Sequence, residues 1–310
     1  MKLKNKLILA PMAGITDQVF RQICIEQGAD VVYSEMINIT GINHLNKKTM
    51  FMLKNDYNQK YLAIQLFGSN VEEFVIAAKY VEKHIKPYII DINMGCPVPK
   101  VVNTGAGSAL MKKPELIVKI INALIKEIKT PLTIKIRSGW DDNSINCLEI
   151  AKIAAKSNIA AIFIHPRTKK QGYTGNADWN LITEIKKNVN IPVIANGDIK
   201  SYDDYLKIKK ITKADCFGIG RAAIGNPWIF KEIKTKNKYV VSNSERYEVM
   251  AKHLNENVKL YGDKIGVFNF RLHLSSYLKG FKNSRNLIKE LYVLSDKNEI
   301  LRLIKEFLNE

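Results

Sequence analysis

The segment YIIDINMGCP, residues 88–97, decides the fold of this chain. Its first half, Tyr88–Ile92, is a short apolar, β-branched run that follows the helix-ending Pro87. A strand buried on both faces of a parallel sheet has this pattern. Asn93-Met94-Gly95-Cys96-Pro97 then forces the chain out of the sheet. A thiol is thereby presented just past the carboxyl end of a strand, where α/β folds place their chemistry. A lone cysteine is ordinarily a small buried hydrophobe. Here Asn93 precedes it and Gly95 and Pro97 flank it, which favours a functional thiol.

Outward from this strand the same unit recurs. Strands are predicted at Leu7–Ala10, Val31–Tyr33, Tyr61–Leu66, Leu132–Ile136, Ala160–His165, Pro192–Ala195 and Cys216–Ile219, with Tyr88–Ile92 as the fourth. Helices are predicted from Asp17 to Gln27, over Val71–His84 behind a Ser69-Asn70 cap, and from Pro114 to Ile128. Eight parallel strand–helix units close naturally into a (β/α)8 TIM barrel. A doubly wound open sheet is the main competitor, but about six strands suffice there and no GxGxxG follows the first strand. The barrel is expected to end near Lys231, giving a catalytic domain over 1–236 and a polar linker at Asn237–Ser244. Residues 245–310 read as a small C-terminal helical bundle, with helices at Glu245–Tyr261, Gly266–Lys282, Arg285–Leu294 and Lys297–Leu308.

The composition, 46% hydrophobic and 25% charged over 310 residues, is ordinary for a soluble globular protein. The net charge of +18 is not. Forty lysines and eight arginines can reflect AT-rich coding, yet a surface this positive attracts polyanions, and a nucleic-acid partner is expected. Residues 240–310 carry +3 of the surplus, so the barrel carries +15. The cysteines at 24, 96, 147 and 216 show no CxxC or zinc spacing, and Cys24, Cys147 and Cys216 are expected in the core. With no signal-peptide pattern and no apolar run of bilayer length, a reduced, cytoplasmic, monomeric protein without membrane contact is expected.

In a barrel all strand carboxyl ends meet at one rim. Those ends supply Pro11-Met12-Ala13, Glu35, Gln65, Asn93 with Cys96, Lys135 with Arg137, His165 with Arg167, Asn196-Gly197-Asp198, and Gly220-Arg221. Polar groups interrupting apolar strands are costly to bury unless paired or used. Lys135 is the sharpest case: in TIKIRSG an outward lysine would turn both Ile134 and Ile136 into the lumen. A structural ion pair is the alternative use for it. The Gly-rich turns at 196–198 and 218–223 stand where barrels bind phosphate, after strands seven and eight. No metal is implied, since the rim lacks a His/carboxylate cluster and carries cations. A phosphate-bearing ring cofactor, a nearby lysine and a protonated thiol together suggest flavin chemistry, the lysine stabilising a reduced, anionic ring.

These residues resemble the tRNA-dihydrouridine synthases, in particular their bacterial B-type branch. The resemblance rests on LAPMAGITD (9–17), SEMI (34–37), IQLFGSN (64–70), DINMGCPVPKV (91–101), GAGSALM (105–111), TIKIRSGW (133–140), HPRTKKQGYTG (165–175), PVIANGDI (192–199) and GIGRAAIGNPWIF (219–230), in order along nearly the whole barrel. It implies an FMN enzyme that uses NADPH or NADH to reduce D-loop uridine in tRNA, with Cys96 as the catalytic acid. It further implies FMN contacts at Pro11, Met12, Ala13, Gln65, Lys135, His165, Asn196, Gly197, Asp198, Gly220 and Arg221, and places Asn93 on the target uracil. Arg137 and Arg167 at strand ends, and Arg271, Lys279, Lys282 and Arg285 on the bundle, are expected substrate contacts. Pro166 departs from the family's usual Gly or Ala, which leaves the path of the 166–175 loop open.

The chemistry this implies is addition across an enone. Hydride reaches uracil C6, and Cys96 protonates C5 from the opposite face. A stacked uridine hides C6, so the base must be extruded into the pocket. Two other functions stay in view. A flavin barrel acting on a free pyrimidine, like dihydroorotate dehydrogenase, shares the chemistry but does not need the +18 charge or the bundle. A non-catalytic RNA-binding protein would explain the charge but not Cys96, Lys135 and the two turns together.

Overall fold

The structure, a computed structural model, describes residues 3–309. Eight parallel strands close into a barrel in sequence order: β1 (Leu7–Leu9), β2 (Val31–Asn38), β3 (Leu62–Phe67), β4 (Ile89–Met94), β5 (Leu132–Arg137), β6 (Ala161–His165), β7 (Val193–Asn196) and β8 (Cys216–Ile219). β8 pairs back on β1, with Leu7 opposite Phe217 and Leu9 opposite Ile219. The expected barrel is thus the observed one. β2 runs five residues beyond the predicted Tyr33 because a register shift between Tyr33 and Met36 lets the strand resume. Ser34 holds that irregularity, its Oγ accepting from Gln65 N–H at 3.0 Å and donating to the Glu35 carbonyl at 2.6 Å.

Around the barrel stand α1 (Gln18–Glu26), α2 (Val71–His84), α3 (Pro114–Glu127), α4 (Cys147–Lys156), α5 (Trp179–Asn188), α6 (Tyr202–Thr212) and α7 (Ile229–Thr235). Asn70 caps α2 as the sequence suggests, accepting from Glu73 N–H at 2.8 Å, and Asp17, read as the first helical residue, proves to be the cap of α1, accepting from Phe20 N–H at 2.8 Å. Such caps are worth about 1 kcal/mol apiece. Alternation along the strands builds two cores. Ile90, Ile92, Ile134 and Ile136 point outward into the layer shared with the helices. Ile8, Tyr33, Ala63, Ile89, Phe163 and Ile194 fill the lumen, sealed at the bottom by Leu3. Asp91, Thr133 and Lys135 alternate with those outward isoleucines and therefore share the inner face.

The chain ends in four helices, α8 (Asn243–Tyr261), α9 (Asp263–Tyr277), α10 (Ser284–Leu291) and α11 (Lys297–Asn309), with their own apolar cluster around Phe270, Leu274, Tyr277 and Ile304. Trp228, from the barrel side, joins that cluster. The second of these helices ends five residues before the predicted Lys282. Gly280, at φ +92°, turns the backbone left-handed just beyond that end, and Asn283, at φ +63°, caps the start of α10. Lys279 and Lys282 consequently lie on a loop, not on a helical face. The bundle is tied to α1: Tyr261 Oη donates to Asp17 at 3.0 Å, Lys252 pairs with Glu26 at 2.5 Å, and Phe20 packs on His273 at 4.4 Å between ring centres. Gly225 (φ +59°) allows the loop after β8 to approach α9, since a Cβ there would lie 2.5 Å from Tyr277 N.

Candidate active site

The carboxyl ends of β5 to β8, with the loop after β1, surround a cavity of about 370 Å³, within the usual range for small-molecule sites. Pro11, Met12, Lys135, His165, Asn196, Gly197, Asp198, Gly220 and Arg221 all line it. Four of its lining side chains are cationic, Lys135, Lys200, Arg221 and Lys279, and Asp198 is the one carboxylate. Asp198 is already matched, at 2.7 Å to Arg167 and 3.6 Å to Arg221. The cavity is therefore positive in excess, with apolar walls at Met12, Ile199 and Ile224. A Cβ on Gly220 would meet no protein atom nearer than 3.6 Å, so the space it would take belongs to the cavity.

Lys135 lies on the inward row of β5, one step before Arg137, and stands 5.1 Å from the centre of the Phe163 ring. Burial, then Arg137, lowers its ammonium to about 8. His165 closes β6, and burial followed by Lys135 and the nearby arginines pushes it down to about 2, so it is neutral at working pH. Its Nε2 lies 3.1 Å from Arg167 Nη1. Arginine only donates, so Nε2 accepts and the ring proton sits on Nδ1. His165 is thereby set as a hydrogen-bond donor through Nδ1.

The thiol stands on the neighbouring rim sector. Asn93 faces Lys135 in the β4–β5 register. Asn93 Oδ1 accepts from Gly95 N–H at 3.1 Å and Cys96 N–H at 2.9 Å, and Ser108 N–H donates to the Cys96 carbonyl at 3.1 Å. Cys96 is half-buried, and burial raises its thiol above the ordinary value, with Arg137 and Lys135 opposing. The other three cysteines are buried.

Several expected site residues lie elsewhere. Ala13 is exposed on the loop after β1, and Gln65 is buried against Asp91 and Asn93; neither lines the cavity. Arg137 and Arg167, expected on the substrate, are 3% and 2% exposed and bond mainly to protein. Arg137 donates to the carbonyls of Gly95, Thr168 and Gly172, and Arg167 to those of Thr174 and Gly175 as well as to Asp198. Together they fix the 166–175 loop, whose path the sequence left open. That loop brings Tyr173 to the cavity, under Arg221 at 4.4 Å. Arg271 donates to the Leu294 carbonyl at 2.5 Å and so holds the connection between α10 and α11. Lys279 lines the cavity and also a second cleft, of about 730 Å³, that includes Lys282 and Arg285 and no acidic residue.

Asp91, Tyr173, Lys200, Asn226 and Ser276 were missed as neighbours of the site. Asp91 had a signal, a carboxylate inside an apolar strand. Ser276 had none, because only the docking of α9 brings it to the rim. Among the described residues, no group of three or more His, Cys, Asp or Glu can hold a metal ion, and no helix is long and apolar enough to cross a membrane.

Comparison with protein families matches residues 8–310 to the dihydrouridine synthases (Dus). The tRNA-dihydrouridine synthase B of Pasteurella multocida is 38% identical over 99% of this chain and 94% of its own length. The protein of that name from Pseudomonas syringae pv. tomato is 38% identical over 99% and 92%. A probable tRNA-dihydrouridine synthase of Rickettsia conorii is 36% identical over 99% and 94%. Among solved structures, an old yellow enzyme homologue from Zymomonas mobilis aligns with a TM-score of 0.55 at 12% identity, over 77% of this chain and 90% of its own, a likeness of fold. Near-complete coverage at this level of identity makes this chain a member of the dihydrouridine synthase family.

Proposed function

We propose that this chain reduces uridine to 5,6-dihydrouridine in tRNA, with FMN held in the barrel cavity, NADPH or NADH as reductant, and Cys96 as proton donor. One observation carries the reading: a cation-rich, apolar-walled cavity stands beside a loop that presents a protonated thiol, in a chain of this family. The donor set suits a ring cofactor with a phosphate. Arg221 and Lys200, with the backbone at Gly197 and Gly220, hold the anionic end, while Met12 and Pro11 give the ring an apolar wall. Lys135 and His165 Nδ1–H supply the positive charge and the donor that a reduced ring requires. A bound flavin supplies the hydride for uracil C6.

The remaining work falls to the chain's own residues. Cys96 holds its proton at neutral pH and releases it to C5, where negative charge develops. Asn93, expected on the target uracil, has its Oδ1 taken by the thiol loop and its Nδ2 by Gln65, so its part is to hold that loop beside Lys135. Arg137 and Arg167 act as positioning residues, fixing the thiol loop at the Gly95 carbonyl and the 166–175 loop that carries Tyr173. Residues 1–236 form the catalytic part, and 245–310 hold the tRNA backbone through the cleft of Lys279, Lys282 and Arg285.

The test is direct. Purified protein should be yellow, release FMN on denaturation, and oxidise NADPH faster when unmodified tRNA is added. A colourless protein that takes up no flavin would remove the reading.

A further inference from the structure

Asp91 lies on β4 two residues before Asn93, fully buried in the lumen and outside the cavity lining. Its carboxylate accepts from Gln65 Nε2 at 2.7 Å and Thr133 Oγ1 at 2.5 Å. Gln65 Oε1 accepts from Asn93 Nδ2 at 2.8 Å. Asn93 Oδ1 in turn accepts from the Gly95 and Cys96 N–H groups. A continuous run of hydrogen bonds thus joins a buried carboxylate to the backbone that carries the thiol.

The direction of every bond in this run is forced. A carboxylate only accepts, so Gln65 turns its nitrogen to Asp91 and its oxygen to Asn93. Backbone N–H groups only donate, so Asn93 turns its oxygen to the loop and its nitrogen to Gln65. The demands from the two ends meet with a donor facing an acceptor. Reversing either amide would set donor against donor in a site closed to water.

We propose that Asp91 is a positioning residue for the proton-donating loop: it sets the orientation of Gln65 and Asn93, and through them holds the Gly95–Cys96 backbone and its thiol. This rests on the reading of Cys96 as the proton donor. The groups that face Asp91 are Gln65, Thr133, Lys135 and Tyr33, the last 3.5 Å from the Thr133 hydroxyl. Burial pushes the Asp91 carboxyl up to about 6, against its bonds from Thr133 and Gln65, so the ionised form still prevails at neutral pH.

Thr133 gives the proposal its test, because a hydroxyl both donates and accepts. Asparagine at position 91 can offer its oxygen to Gln65 and its nitrogen to Thr133 Oγ1, whose proton then turns to Tyr33. Asp91→Asn therefore keeps the direction of the run without the charge, whereas Asp91→Ala removes both. The probe is iodoacetamide, with alkylation of the Cys96 peptide followed by mass spectrometry; the other cysteines are buried. Asp91→Ala should raise the alkylation rate by about three- to tenfold, and Asp91→Asn should stay within about twofold of wild type. Unchanged reactivity in Asp91→Ala, or equal acceleration in both variants, overturns the proposal. The readout needs neither tRNA nor turnover, so its failure is distinct from failure of the functional reading. Reoxidation by tRNA should follow the same order, slower in Asp91→Ala than in Asp91→Asn. Should Asp91→Ala not fold, Gln65→Met cuts the run in its middle; it too should accelerate alkylation, and an unchanged rate there equally overturns the proposal.

Discussion

Cys96→Ala removes one heavy atom, Sγ, from a loop whose shape does not depend on it. The bonds that hold the loop use the Cys96 N–H and carbonyl, which alanine retains. The thiol is only half-buried, so the stability cost should be about 1 kcal/mol or less. The chemical cost is larger. Burial holds the thiol above its ordinary value, so at neutral pH it carries the proton to be donated. Losing a placed general acid slows its step by about 10²- to 10⁴-fold, or about 3–5 kcal/mol of barrier. The assay is a pair of half-reactions read at the flavin absorbance, reduction by NADPH and then single-turnover oxidation by unmodified tRNA. Cys96→Ala should match wild type in the first and fall by that factor in the second. Near-normal tRNA oxidation would refute the assignment of the proton donor.

Lys135→Ala should weaken flavin retention, and wild-type reduction by NADPH should decline as pH rises through about 8, where the lysine loses its charge; a variant with unchanged flavin content and a profile like that of wild type would place its role elsewhere. Gly107 has φ +60°, and a Cβ there would lie 2.8 Å from the Cys96 carbonyl oxygen. Gly107→Ala should therefore cost about 1–2 kcal/mol in denaturant unfolding and slow the tRNA half-reaction more than the NADPH one. In the basic cleft, Lys282→Ala and Arg285→Ala should each flatten the log–log salt dependence of tRNA binding by about 0.7–0.9, with flavin content unchanged; Lys279→Ala, which reaches the cavity, should lower flavin content as well. Parallel salt lines would make the cleft a bystander. Asp91 has a folded pKa of about 6 against 3.8 unfolded, so its contribution is full below about pH 4 and is lost as pH rises through 6. Unfolding of wild type should lose on the order of 3 kcal/mol over that window, a slope that Asp91→Asn should lack.

The barrel was legible because parallel strands buried on both faces are written as continuous apolar runs, and Tyr88–Ile92 is one of eight. The extension of β2 was not, since Ser34 and Glu35 read as a strand end when they are an irregularity within it. The cavity residues at strand ends were legible as polar breaks in apolar runs, Lys135 most clearly. Arg137 and Arg167 show where this stops. Their type and position are plain in the sequence, but their carbonyl partners lie in a loop whose path only packing decides. Lys279 and Ser276 enter the site from another part of the chain, through a helix docked at Gly225, and nothing local to them marks that placement.

Most directly, the central claim is tested by one incubation. Purified protein, supplied with FMN and NADPH, is mixed with tRNA transcribed without modifications, and the RNA is digested and analysed by mass spectrometry. The account predicts a uridine that gains two hydrogens at a D-loop position, absent without NADPH and strongly reduced in Cys96→Ala. Unaltered tRNA, with the protein loaded with flavin and reducible by NADPH, would contradict it.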